Sequence, residues 1–241
     1  INKITKREKS NEAEKRTIRK NVRFFSASDY NEVIKYAEEL LAYNTHTNLT
    51  AIRDNEDLIE KHFIDSLIVH KKLPIREGNA IDIGTGAGFP GMVLAICNPN
   101  ISFTLMDSVG KKTKFLEEIK TLLLLKNVEV INGRAEDFIK ERRETYDLGL
   151  CRGVNRLNVI LEYVVPFIKE NGIFFPQKLE YIDEIEEAKN ALKILNCSLE
   201  EVVESKLPFS GAERIILKIR KNAKTDNKYP RRAGVALKKP L

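Results

Sequence analysis

Cysteine, histidine and long apolar runs are all scarce in this 241-residue chain. The three cysteines, Cys97, Cys151 and Cys197, stand far apart, form no CxxC pair and match no zinc spacing. Such usage fits a reducing cytoplasm, which is the expected location. His46, His62 and His70 show no metal-ligand spacing, so no metal is expected. No apolar run approaches the roughly 20 residues needed to span a bilayer, so no membrane is expected as a partner. The charged start argues against a secretory signal, and Ile1 in place of Met points to a fragment or a processed form. No internal repeat is visible.

Enough apolar residues are present, 42% of the chain, for one large α/β domain plus an appendage. The net charge of +6 is unevenly spread. Residues 1–25 hold nine Lys/Arg and three Glu, and residues 218–241 hold nine Lys/Arg and one Asp. The ends therefore carry +6 and +8, and the middle is left at −8. An acidic body with basic ends suits a polyanionic partner held by those ends. The plainer alternative is that basic termini only keep the chain soluble.

The chain is organised around Ala80–Gly91, AIDIGTGAGFPG. A short apolar strand runs into clustered glycines and then a helix, expected from Pro90 to Cys97, whose first amides point at a ligand. Gly86–Gly91 formally fits GxGxxG, the dinucleotide fingerprint. However, Asp82 lies two residues before the first glycine, Gly84. The series Asp82, Gly84, Gly86, Gly88 suits S-adenosylmethionine (SAM), which carries an ammonium and a sulfonium; a carboxylate there would repel a pyrophosphate. A simple strand-to-helix turn is the third possibility. The next strand, Ile101–Asp107, ends in an acid 23 residues after Gly84. That spacing suits a ribose diol held by Asp107, and a helix N-cap is the alternative.

Around this centre the pattern predicts a doubly wound, mostly parallel seven-stranded α/β sheet. Four segments are expected: a basic arm over 1–25, a helical cap over 26–76, the sheet domain over 77–221 and a basic tail over 222–241. In the cap, Ser28 or Asp29 is expected to start a helix running to Tyr43, and a second helix to run from Asn55 to Lys72. A helix over Lys111–Lys126 and strands at Val128–Ile131, Tyr146–Cys151 and Gly172–Pro176 follow. Ala135–Phe138 is expected in a loop, and Arg152 at the opening of another. Helices are expected over Leu157–Lys169 and Ile182–Leu195. Strands six (around Val202 and Val203) and seven (Glu213–Ile219) are expected to pair as an antiparallel hairpin at one edge.

Four stretches together are distinctive: Asn48–Ala51, His62–Leu67 (HFIDSL), Asp82–Gly91 and Asp107–Lys112 (DSVGKK). They closely resemble the bacterial RsmG (GidB) family, from about Ser28 to Leu241, including the ending Tyr229–Gly234 (YPRRAG). The resemblance implies a seven-stranded SAM-methyltransferase fold and transfer of a methyl group from SAM to N7 of a guanine in small-subunit (16S) ribosomal RNA. It implies the ribosomal RNA or the ribosomal subunit as partner, a monomer, and SAM contacts at Gly84, Phe89, Ala135, Glu136 and Arg152. Arg152, after strand four, is the expected catalytic residue, pairing with the SAM carboxylate or an RNA phosphate. Two places depart from the family pattern. Arg152-Gly153-Val154-Asn155 replaces the usual Arg-Ala-Val-Ala, and Lys178-Leu179 replaces a Lys-Gly pair.

Other chemistries fit less well. Adenine amino methylation uses an Asn/Asp-Pro-Pro-aromatic motif where this chain reads Cys151-Arg152-Gly153-Val154. Cytosine C5 methylation needs a nucleophilic Cys, and Cys151 is read as a small buried residue. His62 is read as packed or capping. An NAD(P) oxidoreductase, a methyltransferase acting on another RNA and a non-catalytic RNA-binding protein remain as alternatives. The basic tail is expected to grip RNA, with Tyr229 stacking on a base; a structural strap is the competing view.

Overall fold

Apolar, β-branched runs form the parallel centre of one sheet: β1 (Gly78–Ile83), β2 (Ile101–Asp107), β3 (Val128–Asn132), β4 (Tyr146–Arg152) and β5 (Ile168–Lys178). Two longer strands, β6 (Cys197–Lys206) and β7 (Glu213–Lys221), join it as an antiparallel hairpin. The strand order is β3-β2-β1-β4-β5-β7-β6, the expected doubly wound sheet with its hairpin at one edge. The computed structural model describes residues 26–52 and 54–241, so the basic arm expected over 1–25 lies outside the described residues.

Helices cover both faces. On one lie α1 (Ala27–Asn44), α2 (Asn55–Leu58), a π-helical segment (Ile59–Ile64), α3 (Asp65–His70), α4 (Gly91–Cys97) and α5 (Gly110–Leu122). On the other lie α6 (Ala135–Arg142), α7 (Leu157–Val164) and α8 (Ile182–Ile194). Each face buries its own apolar cluster, one centred on Phe63, Phe89, Phe103 and Phe115, the other on Leu161, Phe167 and Phe174. Among the described residues no helix is long and apolar enough to cross a membrane.

Several local expectations are corrected. The cap of α1 is Ser26, not Ser28 or Asp29: Ser26 and Asp29 exchange side-chain-to-backbone hydrogen bonds of 3.2 Å in a capping box. Ala135–Phe138 forms the first turn of α6 rather than a loop, with Glu136 and Asp137 favourably placed at the positive end of the helix. Helix α7 stops at Val164, because Pro166 interrupts the helical bonding and Val165–Phe167 tightens into a 3₁₀ turn before β5. The long helix expected over Asn55–Lys72 is broken by the wider π turn. Arg152 is the last residue of β4, not the opening of a loop.

The basic tail is docked. Lys221 is buried, and its Nζ donates to Glu144 at 2.7 Å and to the carbonyls of Val165 and Ile168. Glu144 also accepts from Thr225 N at 2.9 Å, and Arg143 donates to the Tyr229 carbonyl. Arg231 forms a forked pair with fully buried Glu162, at 2.8 and 2.6 Å. Tyr229 packs into the second cluster with 7% exposure. Its ring is therefore not available to stack on a base, which corrects that expectation.

Removing one partner of a buried pair leaves the other charge uncompensated. Arg231 keeps 26% of its side-chain surface, so Arg231→Ala is placed at the low end of that cost, about 3 kcal/mol. At roughly 2–4 °C per kcal/mol for a chain of this size, Tm is expected to fall by roughly 6–12 °C in calorimetry. An unchanged Tm would show that this pair does not hold the strap.

Candidate functional site

The turn after β1 is built by two carboxylates. Asp82 is fully buried; its Oδ2 accepts from Thr85 Oγ1 at 2.7 Å and from Gly91 N at 2.9 Å. Burial pushes its carboxyl up to about 6, against the lowering effect of those two bonds. Its Oδ1 is buried without a partner. Asp107, at the end of β2, accepts from Gly86 N at 3.0 Å, Val109 N at 2.9 Å and Lys112 Nζ at 3.4 Å. It therefore fixes the glycine turn and the entry to α5 together. Gly84 sits at φ +73°, where a Cβ would run into Val154, and Gly88 at φ +99°, where a Cβ would run into Met92, Leu116 and the Tyr36 hydroxyl. That hydroxyl donates to the Ala87 carbonyl.

Phe89 lies in the middle of an aromatic stack. Tyr36 is parallel to it at 5.5 Å and His62 at 4.5 Å, and the Arg152 guanidinium lies 5.3 Å from its ring centre. Arg152 donates to Asp65 Oδ2 at 2.9 Å and to the Lys61 carbonyl at 3.1 Å, and lies 2.9 Å from His62 Nδ1. Arg214 of β7 also reaches Asp65 Oδ2, at 3.2 Å. Gln177 of β5, opposite Arg152 in register, donates to Asp65 Oδ1 at 3.2 Å. Burial pushes the His62 imidazolium down to about 3, reinforced by Arg152, so this ring is neutral near pH 7. It also bonds Thr50 Oγ1 at 2.8 Å.

A cavity of about 990 Å³ opens at the carboxyl ends of the strands, the edge where doubly wound sheets bind ligands. Gly84, Gly86, Phe89, Arg152, Gln177 and Arg214 are among its lining residues. Asp82, Gly88 and Asp107 stand behind the glycine turn rather than in the wall, and Ala135 and Glu136 open α6 at the end of β3. A second cavity, about 570 Å³, lies by Asn79, Ser102 and Asn127 at the opposite ends of the strands, away from this chemistry. Sequence reasoning missed Asp65, Gln177 and Arg214 as members of the site. The HFIDSL stretch was the signal for Asp65, but its partners sit on distant strands. Among the described residues no group of His, Cys, Asp or Glu is placed to hold a metal ion.

A family model described as rRNA small subunit methyltransferase G (GidB) matches residues 29–216. The chain belongs to this family. It is 60% identical to the "Ribosomal RNA small subunit methyltransferase G" of Fusobacterium nucleatum over 86% of this chain and 90% of that one. It is 45% identical to the protein of the same name from Alkaliphilus oremlandii, over 88% and 90%. Among solved structures, the fold is shared with a SAM dependent methyltransferase from Aquifex aeolicus, with TM-score 0.53 and 20% identity over 68% of this chain and 93% of that one. It is also shared with TYW2 of P. horikoshii in complex with MeSAdo, with TM-score 0.54 and 17% identity over 66% and 62%. At these identities the likeness concerns the sheet and its helices: a SAM-methyltransferase fold carrying a GidB-family sequence.

Partly buried His62 is expected to make the fold acid-sensitive. Below its ordinary value of 6.5, the unfolded chain takes up a proton there that the folded chain refuses until about pH 3. Its contribution to stability is therefore lost as pH falls from 6.5 towards 3. In His62→Gln the fall in Tm between pH 7 and pH 5 is expected to be smaller than in the parent chain, measured by thermal unfolding followed by circular dichroism. An equal fall would mean that other groups carry the acid response.

Proposed function

We propose that the chain transfers the methyl group of SAM to N7 of a guanine in small-subunit ribosomal RNA. The observation that carries this reading is the GidB-family match over 29–216, together with a glycine turn braced by Asp82 and Asp107 beside the cavity. A buried carboxylate oxygen without a partner, Asp82 Oδ1, supports a cationic ligand near the turn and opposes a pyrophosphate, which speaks against the NAD(P) alternative. Bound SAM supplies an electrophilic methyl on sulfur.

The residues that would hold it are those the sequence marks. Gly84 and Gly86 let the backbone approach, Gly88 lets the turn pack closely on Tyr36, Met92 and Leu116 behind it, and Phe89 walls the cavity. Ala135 and Glu136 lie at the same sheet edge, at the start of α6. Asp107 already accepts three donors of the roughly four its oxygens can take, which leaves room for one ribose hydroxyl. Arg152 has three of its five N–H groups engaged with Asp65, Lys61 and His62. The other two remain for a carboxylate or phosphate in the cavity it lines.

Guanine N7 offers a lone pair in the ring plane, so no proton has to leave it. A neutral His62, hydrogen-bonded to Thr50 and Arg152, is compatible with such a reaction. Catalysis would rest on orienting the base and excluding water. Cys151 is buried and its thiol is pushed up by burial, which removes the thiolate that C5 methylation of cytosine requires.

Isothermal titration is expected to show heat of binding with SAM and none with NAD. Asp107→Ala is expected to weaken SAM about 10- to 100-fold, the equivalent of one charge-assisted bond of roughly 1.5–3 kcal/mol; unchanged affinity would remove Asp107 from the cofactor site. Primer extension on ribosomal RNA then maps the methylated base, and a site other than guanine N7 would overturn the reading. Arg152→Ala strips Asp65 of its nearer guanidinium, so methylation and Tm are both expected to fall, whereas a residue standing free in a loop would affect methylation alone. A mutant methylating at the parent rate rules out any role for Arg152 in the reaction.

A further inference from the structure

The cations of the C-terminal strap divide into two sets. Those facing inward each hold a carboxylate of the body: Lys221 with Glu144, and Arg231 with Glu162. Lys228 pairs locally with Asp226. Lys224, Arg232, Lys238 and Lys239 are exposed and form no ion pair among the described residues. We propose that these four side chains, continued by Arg134, form a docking surface for the sugar–phosphate backbone of ribosomal RNA. The inference deepens the ribosomal-RNA reading of the site by naming where the body receives its substrate.

Three observations carry it. First, three of the four cations are gathered by the fold, while Lys224 lies nearer the start of the strap, where its carbonyl accepts from Asn196. Arg231 Nη2 donates to the Lys239 carbonyl at 2.8 Å, and the strap turns back through Val235 N to Arg232 O at 3.0 Å. Arg232, Lys238 and Lys239 therefore share one short stretch of surface, which ends in α9 (Val235–Lys238) packed on α7. Second, packing links the strap to the ligand edge of the sheet. Helix α9 packs on α7, α7 packs on α6, and exposed Arg134 is the residue before Ala135, where α6 opens after β3. Third, the rest of the body is the wrong sign. Residues 26–217 carry −8, whereas 222–241 hold six Lys/Arg against one Asp. A phosphate backbone approaching the body is attracted at the strap and repelled over most of the remainder. Because the strap backbone is already pinned by Glu144 and Glu162, its ordering is completed on folding, and little of it is charged against binding.

The test uses the full chain with the substitutions Lys224→Ser, Arg232→Ser, Lys238→Ser and Lys239→Ser combined. Binding to deproteinised small-subunit ribosomal RNA is measured between 50 and 200 mM KCl, with SAM titration and Tm in parallel. Each lost phosphate contact is expected to lower the log–log salt slope by about 0.7, so up to about 2.8 for four, with affinity reduced roughly ten- to hundredfold at low salt. SAM affinity and Tm are expected to stay at the parent values. Exchanging the same four positions Lys for Arg and Arg for Lys keeps the charge and is expected to keep the slope. A control with Lys126, Lys140, Lys189 and Lys193 changed to Ser removes the same charge elsewhere and is expected to leave the slope nearly unchanged. Three results overturn the proposal: an unchanged slope in the strap variant, with or without a lower Tm, since that gives the tail a structural role only; an equal loss in the control, which makes the effect one of bulk charge; or a loss in the charge-keeping variant. A failure of SAM titration in the parent chain with the salt dependence intact counts instead against the methyltransferase reading, so the two are separable.

Discussion

The buried carboxylate of Asp65 is the contact on which the site depends. It receives Arg152 from the end of β4, Arg214 from β7 and Gln177 from β5. One side chain from the N-terminal helices thereby closes over three strand ends of the sheet. A charge so far from water is tolerable only because two guanidiniums and an amide satisfy it. Its loss would strand two arginines in the wall of the cavity. Burial keeps His62 neutral, and the guanidinium beside it reinforces this by opposing a second positive charge. Glu60, a turn earlier, adds a second tie by accepting from Phe209 N at 2.6 Å and Ser210 N at 2.9 Å at the tip of the β6–β7 hairpin. The helices and the antiparallel edge of the sheet are joined by these carboxylates as well as by apolar packing.

The glycine turn follows the same logic on a smaller scale. Glycines permit its backbone angles but do not select them, since they permit many others. Selection comes from Asp82, which joins Thr85 to Gly91, and from Asp107, which holds Gly86. A turn fixed before any ligand arrives is pre-organised, and binding then spends little on ordering it. The aromatic stack Tyr36–Phe89–His62 carries that rigidity into the N-terminal helices. The cavity wall is therefore assembled from parts that fold together rather than from a loop laid over a finished sheet.

The strap shows how one basic segment divides between two physical roles. Arg231 is drawn to Glu162, which would otherwise be buried without a partner, whereas Lys221 is itself buried and is satisfied by half-buried Glu144. Tyr229, between Lys221 and Arg231 in the chain, packs into the second apolar cluster at the same time. Lys228 pairs only with its neighbour Asp226, and Lys224, Arg232, Lys238 and Lys239 have no carboxylate partner among the described residues and stay in water. Charge counting along the chain treats all of these residues alike, although the fold makes some of them structural and leaves the others to the solvent.

The sequence by itself determined the succession of strands along the chain, the edge hairpin, the glycine turn and the acids that flank it. These features are local: alternating or continuous apolar runs, glycine spacing, and an acid at a strand end. The family likeness was legible for the same reason, being carried by short contiguous stretches such as HFIDSL and DIGTGAGFPG. Local reading failed where competing short-range signals were close in strength, as at Ser26 against Ser28 for the helix cap, or at Ala135–Phe138, where helix formers with acids in the first turn outweighed the loop reading. Only the tertiary structure decided that Arg152 is shared between the helical cap and the cavity, that Asp65, Gln177 and Arg214 belong to the same site, and that Tyr229 is packed rather than offered to RNA. Those outcomes depend on pairs separated by tens to more than a hundred residues, such as Arg152 with Asp65 and Arg231 with Glu162. Which charge is neutralised by which partner is settled by burial, because desolvation makes an unpaired charge intolerable inside and nearly harmless outside, and burial is a property of the folded molecule that no stretch of sequence contains.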